Sequence, residues 1–161
     1  MVCYVHAEDW RSIELLPEEN YDAVVEWLEG DDEPGKMMVH QYRIGGLKIP
    51  LSRLDEIFKG ILPRDDELIT GYTREPMQVE NGFAYFDPDF GAIYGTTDEN
   101  GVVTLLGFDN QFCDCGKDFS AAMKAVSVMG RELKLFMVDW LLELVVDIRP
   151  EDALQNYFDG M

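Results

Sequence analysis

Apolar positions change their spacing along this chain, and those changes outline its elements. Residues 2–7 alternate weakly and predict a short strand. Tyr21, Val24, Val25 and Leu28 then fall at i, i+3, i+4 and i+7, one face of an amphipathic helix. Pro17 stands where such a helix begins, since its missing N–H is not needed in the first turn. Glu18 and Glu19 follow at the positive end of the helix dipole, and Gly30 ends the helix. Residues 31–35 read as a loop. Residues 37–44 read as a strand, turned by Gly45-Gly46 into residues 47–49. Ser52 caps a short helix through Phe58, with Gly60 beyond it. Residues 61–76 lack a period and hold Pro63, Gly71 and Pro76, so they read mostly as loop.

The next stretch carries the clearest pattern. Three β-rich runs, 82–86, 92–96 and 102–108, are separated by residues 87–91 and 98–101. The second separator ends in Asn100-Gly101, a pair that tolerates positive φ at both central turn positions. Runs so closely spaced predict an antiparallel meander. A helix follows from Asp118 or Ser120 to about Met129. Leu133, Phe136, Met137, Trp140, Leu141, Leu144, Val145 and Ile148 then mark a long apolar face, widened by Leu135, Val138, Leu142 and Val146. The spacing predicts one long apolar helix over 133–148, broken by Pro150. Asp139, Glu143 and Asp147 form a rib on its remaining face, either solvated or part of a docking surface. Residues 151–158 predict a last short helix. The whole reads as a single α+β domain over 1–161: an antiparallel sheet of about five to six strands packed against helices, with a long apolar C-terminal helix.

Composition supports a packed core. The 161 residues are 47% hydrophobic and include three Trp, seven Tyr and nine Phe, unlike a disordered acidic tail. No run of about 18 uncharged apolar residues occurs, and the first residues lack a secretory pattern. Three cysteines fit reduced thiols in the cytoplasm better than a disulfide framework.

Charge alters the functional picture. Thirty-two acids against thirteen Lys and Arg give a formal charge of -19. The excess lies in two blocks: residues 8–33 hold eleven acids and one base, and residues 75–116 hold eight acids and no base. Residues 36–74 hold seven bases and five acids. Such an excess weakens the compact state by self-repulsion and favours fast capture of basic partners. It argues against direct nucleic-acid binding, which needs Lys and Arg to displace counterions.

Catalytic and metal chemistry is thinly represented. Cys113-x-Cys115 with Cys3-x-x-His6 is the one conceivable four-ligand zinc set. Its single-residue spacing is unusual for zinc, and Cys3 and His6 would face opposite sides of a strand. Free thiols near a turn are the simpler reading. Asp87-x-Asp89 before Gly91 lacks the glycine and glutamate positions of a calcium loop. His6 and His40 are the near-neutral acid–base groups, and no phosphate-binding or nucleophile motif is present. The expectation is a non-enzyme without cofactor or metal.

Three patches resemble the SUKH superfamily, which includes a fungal cell-wall regulator and bacterial toxin-immunity proteins. The first is Leu16-Pro17-Glu18-Glu19-Asn20-Tyr21 with Trp27-Leu28 beyond. The second is Ile49-Pro50-Leu51 leading into the helix of Leu54 and Phe58. The third runs from Gly82 and Tyr85 through Val102-Val103 to Asp118-Phe119-Ser120. The likeness covers residues 13–130. It implies an immunity protein that binds and neutralises a toxin domain, often a nuclease. A basic toxin surface would meet Glu18, Glu19, Asp22, Glu26, Glu29, Asp31 and Asp32 of the first block, and Asp87 and Asp89 of the second. Trp27, beside the apolar face of its helix, is a candidate interface anchor or an edge-of-core residue. An acidic adaptor with an unknown partner, bound mainly through residues 133–148, remains open, as does a small enzyme. Oligomeric state is not readable from the chain.

Overall fold

Three adjacent strands and one tight turn organise the chain. A computed structural model describes residues 2–30 and 44–160. Their elements, in order, are β1 (Cys3–His6), β2 (Ile13–Pro17), α1 (Tyr21–Glu29), α2 (Leu51–Phe58), β3 (Arg64–Asp65), β4 (Leu68–Tyr72), β5 (Glu75–Gln78), β6 (Gly82–Asp87), β7 (Gly91–Thr97), β8 (Val103–Asn110), α3 (Ser120–Leu133), β9 (Leu135–Asp139), β10 (Leu144–Val146) and α4 (Ala153–Asp159). The expected meander is β6, β7 and β8, paired antiparallel in sequence order. In the second turn only Gly101 takes positive φ, at 77°. Asp98 supplies the rest: its Oδ1 accepts the N–H groups of Asn100 and Val102 at 2.8 and 3.0 Å.

The meander extends into a seven-stranded sheet of order β10-β9-β2-β8-β7-β6-β3, among the described residues. Every pairing in it is antiparallel. Strand alternation gives the sheet two faces. One carries Leu15, Met137, Phe108, Ile93 and Tyr85, buried against α2, α3 and α4. Phe58 of α2 stacks on Tyr85, and Phe158 of α4 meets Phe90 and Phe108 edge or tilted. The other face carries Tyr94, Ala84 and Ala92, covered by Cys3, Val5 and Leu68 from a small sheet of order β1-β4-β5. Here β1 runs parallel to β4. Farther along this second face, α1 lies over β9, with Tyr21 edge-on to Phe136 and Trp27 edge-on to Trp140.

Several expectations are corrected. Residues 133–148 are not a long helix; they end α3 and then form the β9–β10 hairpin. All five residues of β9 are buried. A strand covered on both faces shows an unbroken apolar run, which periodicity alone does not separate from a buried helix. Lys134, in the left-handed region at φ 56°, ends α3, and its N–H bonds the Gly130 carbonyl. The final helix is accordingly short. Among the described residues the main sheet has seven strands instead of five or six, because β2, β9, β10 and β3 all join the meander.

Pro17 closes β2 opposite Leu135 instead of opening the helix, and Glu18–Asn20 form a 3₁₀ turn before α1. Residues 61–76 contain β3, β4 and β5, not loop. Pro76 fits there because β5 is an exposed edge, where a missing N–H leaves no ladder bond unmade. Gly45–Leu47 form a 3₁₀ turn, not a hairpin, and residues 37–43 of the expected strand lie outside the described residues. Helix α2 begins at Leu51 behind Pro50 and takes no side-chain cap from Ser52. No helix among the described residues is long and apolar enough to cross a membrane.

Gly107 illustrates how tightly the second face is packed. A Cβ there would lie 2.6 Å from the ring of Tyr94, which is fully buried. Trp10 packs on the same ring at 4.9 Å, and the Tyr94 hydroxyl accepts the Arg11 N–H at 2.7 Å. The ring therefore has nowhere to retreat. Gly107→Ala is expected to lower stability by about 1–3 kcal/mol, the usual penalty for overpacking, read as a fall in the urea midpoint.

Candidate binding face at one end of the sheet

The register fixes which connections share an end of the sheet. Ile13 pairs with Asp139, Ile93 with Phe108, and Tyr85 with Ile93. Beyond that row, the Trp140 N–H donates to the Ser12 carbonyl at 2.9 Å. Segments 7–12, 87–91, 111–119 and 140–143 therefore emerge together. Helix α1 runs toward the same end, since Tyr21 meets Phe136 in mid-strand while Trp27 reaches Trp140.

This end gathers acids from both blocks. Glu8, Asp9, Glu26, Glu29, Asp87, Asp89, Asp114, Asp118 and Glu143 lie in these segments or at the near end of α1. Among the described residues, the Lys and Arg side chains in these four segments are Arg11 and Lys117, and both are engaged. Arg11 bonds Glu14 at 3.1 Å, and Lys117 pairs with Asp89. Basic residues stand at the opposite end. Arg149 pairs with Glu18 at 3.4 Å, Arg131 donates to the Arg149 carbonyl, and Lys134 accepts the Glu18 N–H on its carbonyl. That end also carries Glu80, Asp98, Glu99 and Asp147, so acids stand at both ends of the sheet.

The predicted site residues divide accordingly. Glu26, Glu29, Asp87 and Asp89 share the acidic end. Glu18, Glu19 and Asp22 sit at the start of α1, toward the opposite end. Asp31 and Asp32 lie outside the described residues. Trp27 is half-buried against Trp140, ring centroids 5.6 Å apart, so its place is the edge of the core.

Two residues that the apolar spacing assigned to a helix stand at one side of this end, on the edge hairpin. Leu141 and Leu142 are 66% and 57% exposed at the tip of the β9–β10 hairpin. Their N–H groups both donate to Asp139 Oδ1, at 3.1 and 3.0 Å. The other oxygen of Asp139 accepts the Tyr157 hydroxyl at 2.7 Å, tying the tip to α4. An Asp shortly before two leucines is a turn signal, but reading the segment as helix concealed it.

Beneath the surface, burial acts on the carboxylates. Glu14 accepts from Arg11 and from Trp140 Nε1, each at 3.1 Å. Burial still raises its pKa, with Arg11 opposing. Asp109 is also raised, first by burial and then by Asp9, while the Gln111 amide opposes. Loss of water disfavours the charged form, and a neighbouring acid adds to it.

The conceivable four-ligand zinc set does not assemble. Cys3, in β1, is buried between the small sheet and the large one, its thiol pushed up to about 12 by burial. His6 stands edge-on to Tyr4 and Tyr72, with Nδ1 accepting the Glu8 N–H. Cys113 and Cys115 instead lie beside Asp89. His40 lies outside the described residues.

The raised Asp109 gives a signed pH dependence. A carboxyl whose folded pKa exceeds its unfolded value, about 3.9, leaves the folded state holding the extra proton. Its contribution is fully present below about pH 4 and is lost as pH rises through the folded pKa. Asp109→Asn keeps the acceptor for Gln111 and removes the charge. It is expected to raise stability at pH 7 by about 1 kcal/mol, with the gain vanishing toward pH 4 in urea titrations. A constant gain across that range would contradict burial of the charge as the cause.

No family model, curated protein or solved structure matches this chain, so the chemistry of this face rests on its own residues.

Proposed function

We propose that this protein is a non-catalytic inhibitor, an immunity protein that binds and neutralises a basic toxin domain such as a nuclease. The observation that supports it is the meeting of some acids from each block at one sheet end, beside exposed Leu141 and Leu142. A nuclease must present Lys and Arg to phosphate. An acidic face complementary to that surface competes for it and steers encounter, with on-rates up to about 10⁸–10⁹ M⁻¹s⁻¹ at low salt. The leucines supply what charge does not. Apolar side chains at the centre of an interface exclude water, while a charged rim sets orientation. The resemblance to the SUKH superfamily points the same way. Inhibition of this kind needs no catalytic group, cofactor or bound nucleic acid, and it suits a cytoplasmic protein guarding its own cell.

A second reading, an adaptor that binds mainly through the hairpin, is favoured by the same exposed leucines. Salt separates the two. With the basic product of a neighbouring gene as partner, the inhibitor's on-rate should fall at least about 10-fold between low and physiological salt. Glu26→Lys with Glu29→Lys should slow association, whereas Leu141→Ser with Leu142→Ser should speed dissociation. Salt-independent binding lost only in the leucine variant would favour the adaptor. Failure to bind any neighbouring toxin domain, together with failure to protect cells expressing one, would sink the inhibitor.

A further inference from the structure

We propose that Asp89, Cys113 and Cys115 form a binding site for a zinc-like divalent cation at the rim of the acidic end. A carboxylate oxygen and the two Sγ atoms all lie within 4.8 Å of one another. Two loops far apart in sequence deliver them, and backbone bonds that involve no thiol hold those loops together. Asp87 Oδ1 accepts the N–H groups of Asp89 and Phe90 at 2.8 and 3.3 Å, shaping the first loop. The second is fastened to it: Cys113 N–H donates to the Asp89 carbonyl at 3.0 Å, and Gln111 N–H to the Phe90 carbonyl at 3.3 Å. Asn110 Oδ1 takes the Phe112 N–H at 3.0 Å. The donor atoms are therefore already gathered before any cation arrives.

The donor set selects the ion. Two thiolates suit zinc and other thiophilic metals, and they are poor ligands for calcium or magnesium. Zinc needs sulfur at about 2.3 Å and oxygen at about 2.0–2.2 Å, a contraction that side-chain rotation can supply. Three protein ligands leave the fourth tetrahedral position to water. Cys115 is exposed, while Cys113 and Asp89 are half-buried, so the site is open to entry on one side.

The local field favours a cation. A divalent ion would displace both thiol protons on binding, and the exposed Asp114 and Asp118 lie in the same loop. Lys117 now supplies positive charge by pairing with Asp89. Its flexible ammonium can swing aside when a divalent ion takes that oxygen. The site does not need the inhibitor reading, because all three ligands belong to this chain, although Asp89 also stands on the acidic end.

Cobalt is the probe. Titrating the reduced, metal-free full chain with Co²⁺ should give a thiolate-to-cobalt charge-transfer band that saturates at one ion per chain, and Zn²⁺ should abolish it. Cys113→Ser and Cys115→Ser should lose the band with unchanged far-ultraviolet circular dichroism. Asp89→Asn should weaken binding by about 10-fold or more. No band in the parent chain, a band that survives in Cys115→Ser, or saturation at one ion per two chains would overturn the site.

Discussion

The pairing of β2 with β9 is the constraint on which the rest of the structure depends. It joins the start of the chain to a segment near its other end, with Ile13 opposite Asp139 and Pro17 opposite Leu135. Strand β2 also contacts β8, so the meander and the C-terminal hairpin become one sheet through it. A slip of one residue would exchange the two faces of both strands. Leu15 and Met137 would leave the helix-covered core, and Glu14 would enter it. Trp140 holds the register from the side: its backbone N–H bonds Ser12, and its indole N–H bonds Glu14.

That pairing also explains how so acidic a chain keeps its charges together. Acids crowded at one end repel one another; among the described residues Arg11 and Lys117 there pair with Glu14 and Asp89. The sheet's hydrogen bonds and two apolar cores carry the stability that the charges oppose. Buried acids are handled individually. Glu14 has Arg11 and Trp140, Asp139 has Tyr157 and two backbone N–H groups, and Asp109 has Gln111. Asp109 is the least well compensated, because its one named partner is an amide and its neighbour Asp9 is a like charge. An end that tolerates repulsion in the free protein is suited to a partner that relieves it.

The same geometry makes the cysteine loop more than an exposed dithiol. The Cys113-x-Cys115 pair sits beside Asp89 only because β7 and β8 pair with Gly91 opposite Asn110. The turn before one strand and the loop after the other then emerge side by side. The ligands and the acidic face are two consequences of one register.

Local chemistry made part of this legible in the residues. The helical spacing of Tyr21, Val24, Val25 and Leu28 marked α1, and Asn100-Gly101 between β-rich runs marked the meander. Asp118 and Ser120 marked the start of α3, although Phe119 takes the cap position. Each depends on neighbours within a few positions, where periodicity and turn preference act. The uneven charge was equally plain, and so was the scarcity of catalytic groups. Residues 133–148 were not legible in this way. Their apolar run fits a buried helix or a buried strand, and the choice fell to β2, whose unpaired edge offers backbone hydrogen bonds that a helix could not use. Glu18, Glu19 and Asp22 likewise looked equivalent to Glu26 and Glu29, yet the direction of α1 sends them to opposite ends. By itself, then, the sequence determined the amount and sign of charge, the local helices and the meander. Only the tertiary structure decided which acids meet, that Leu141 and Leu142 stand beside them, and that Asp89 joins the two cysteines. Those outcomes rest on strand pairings between segments distant in sequence, and local preference carries no record of such partners.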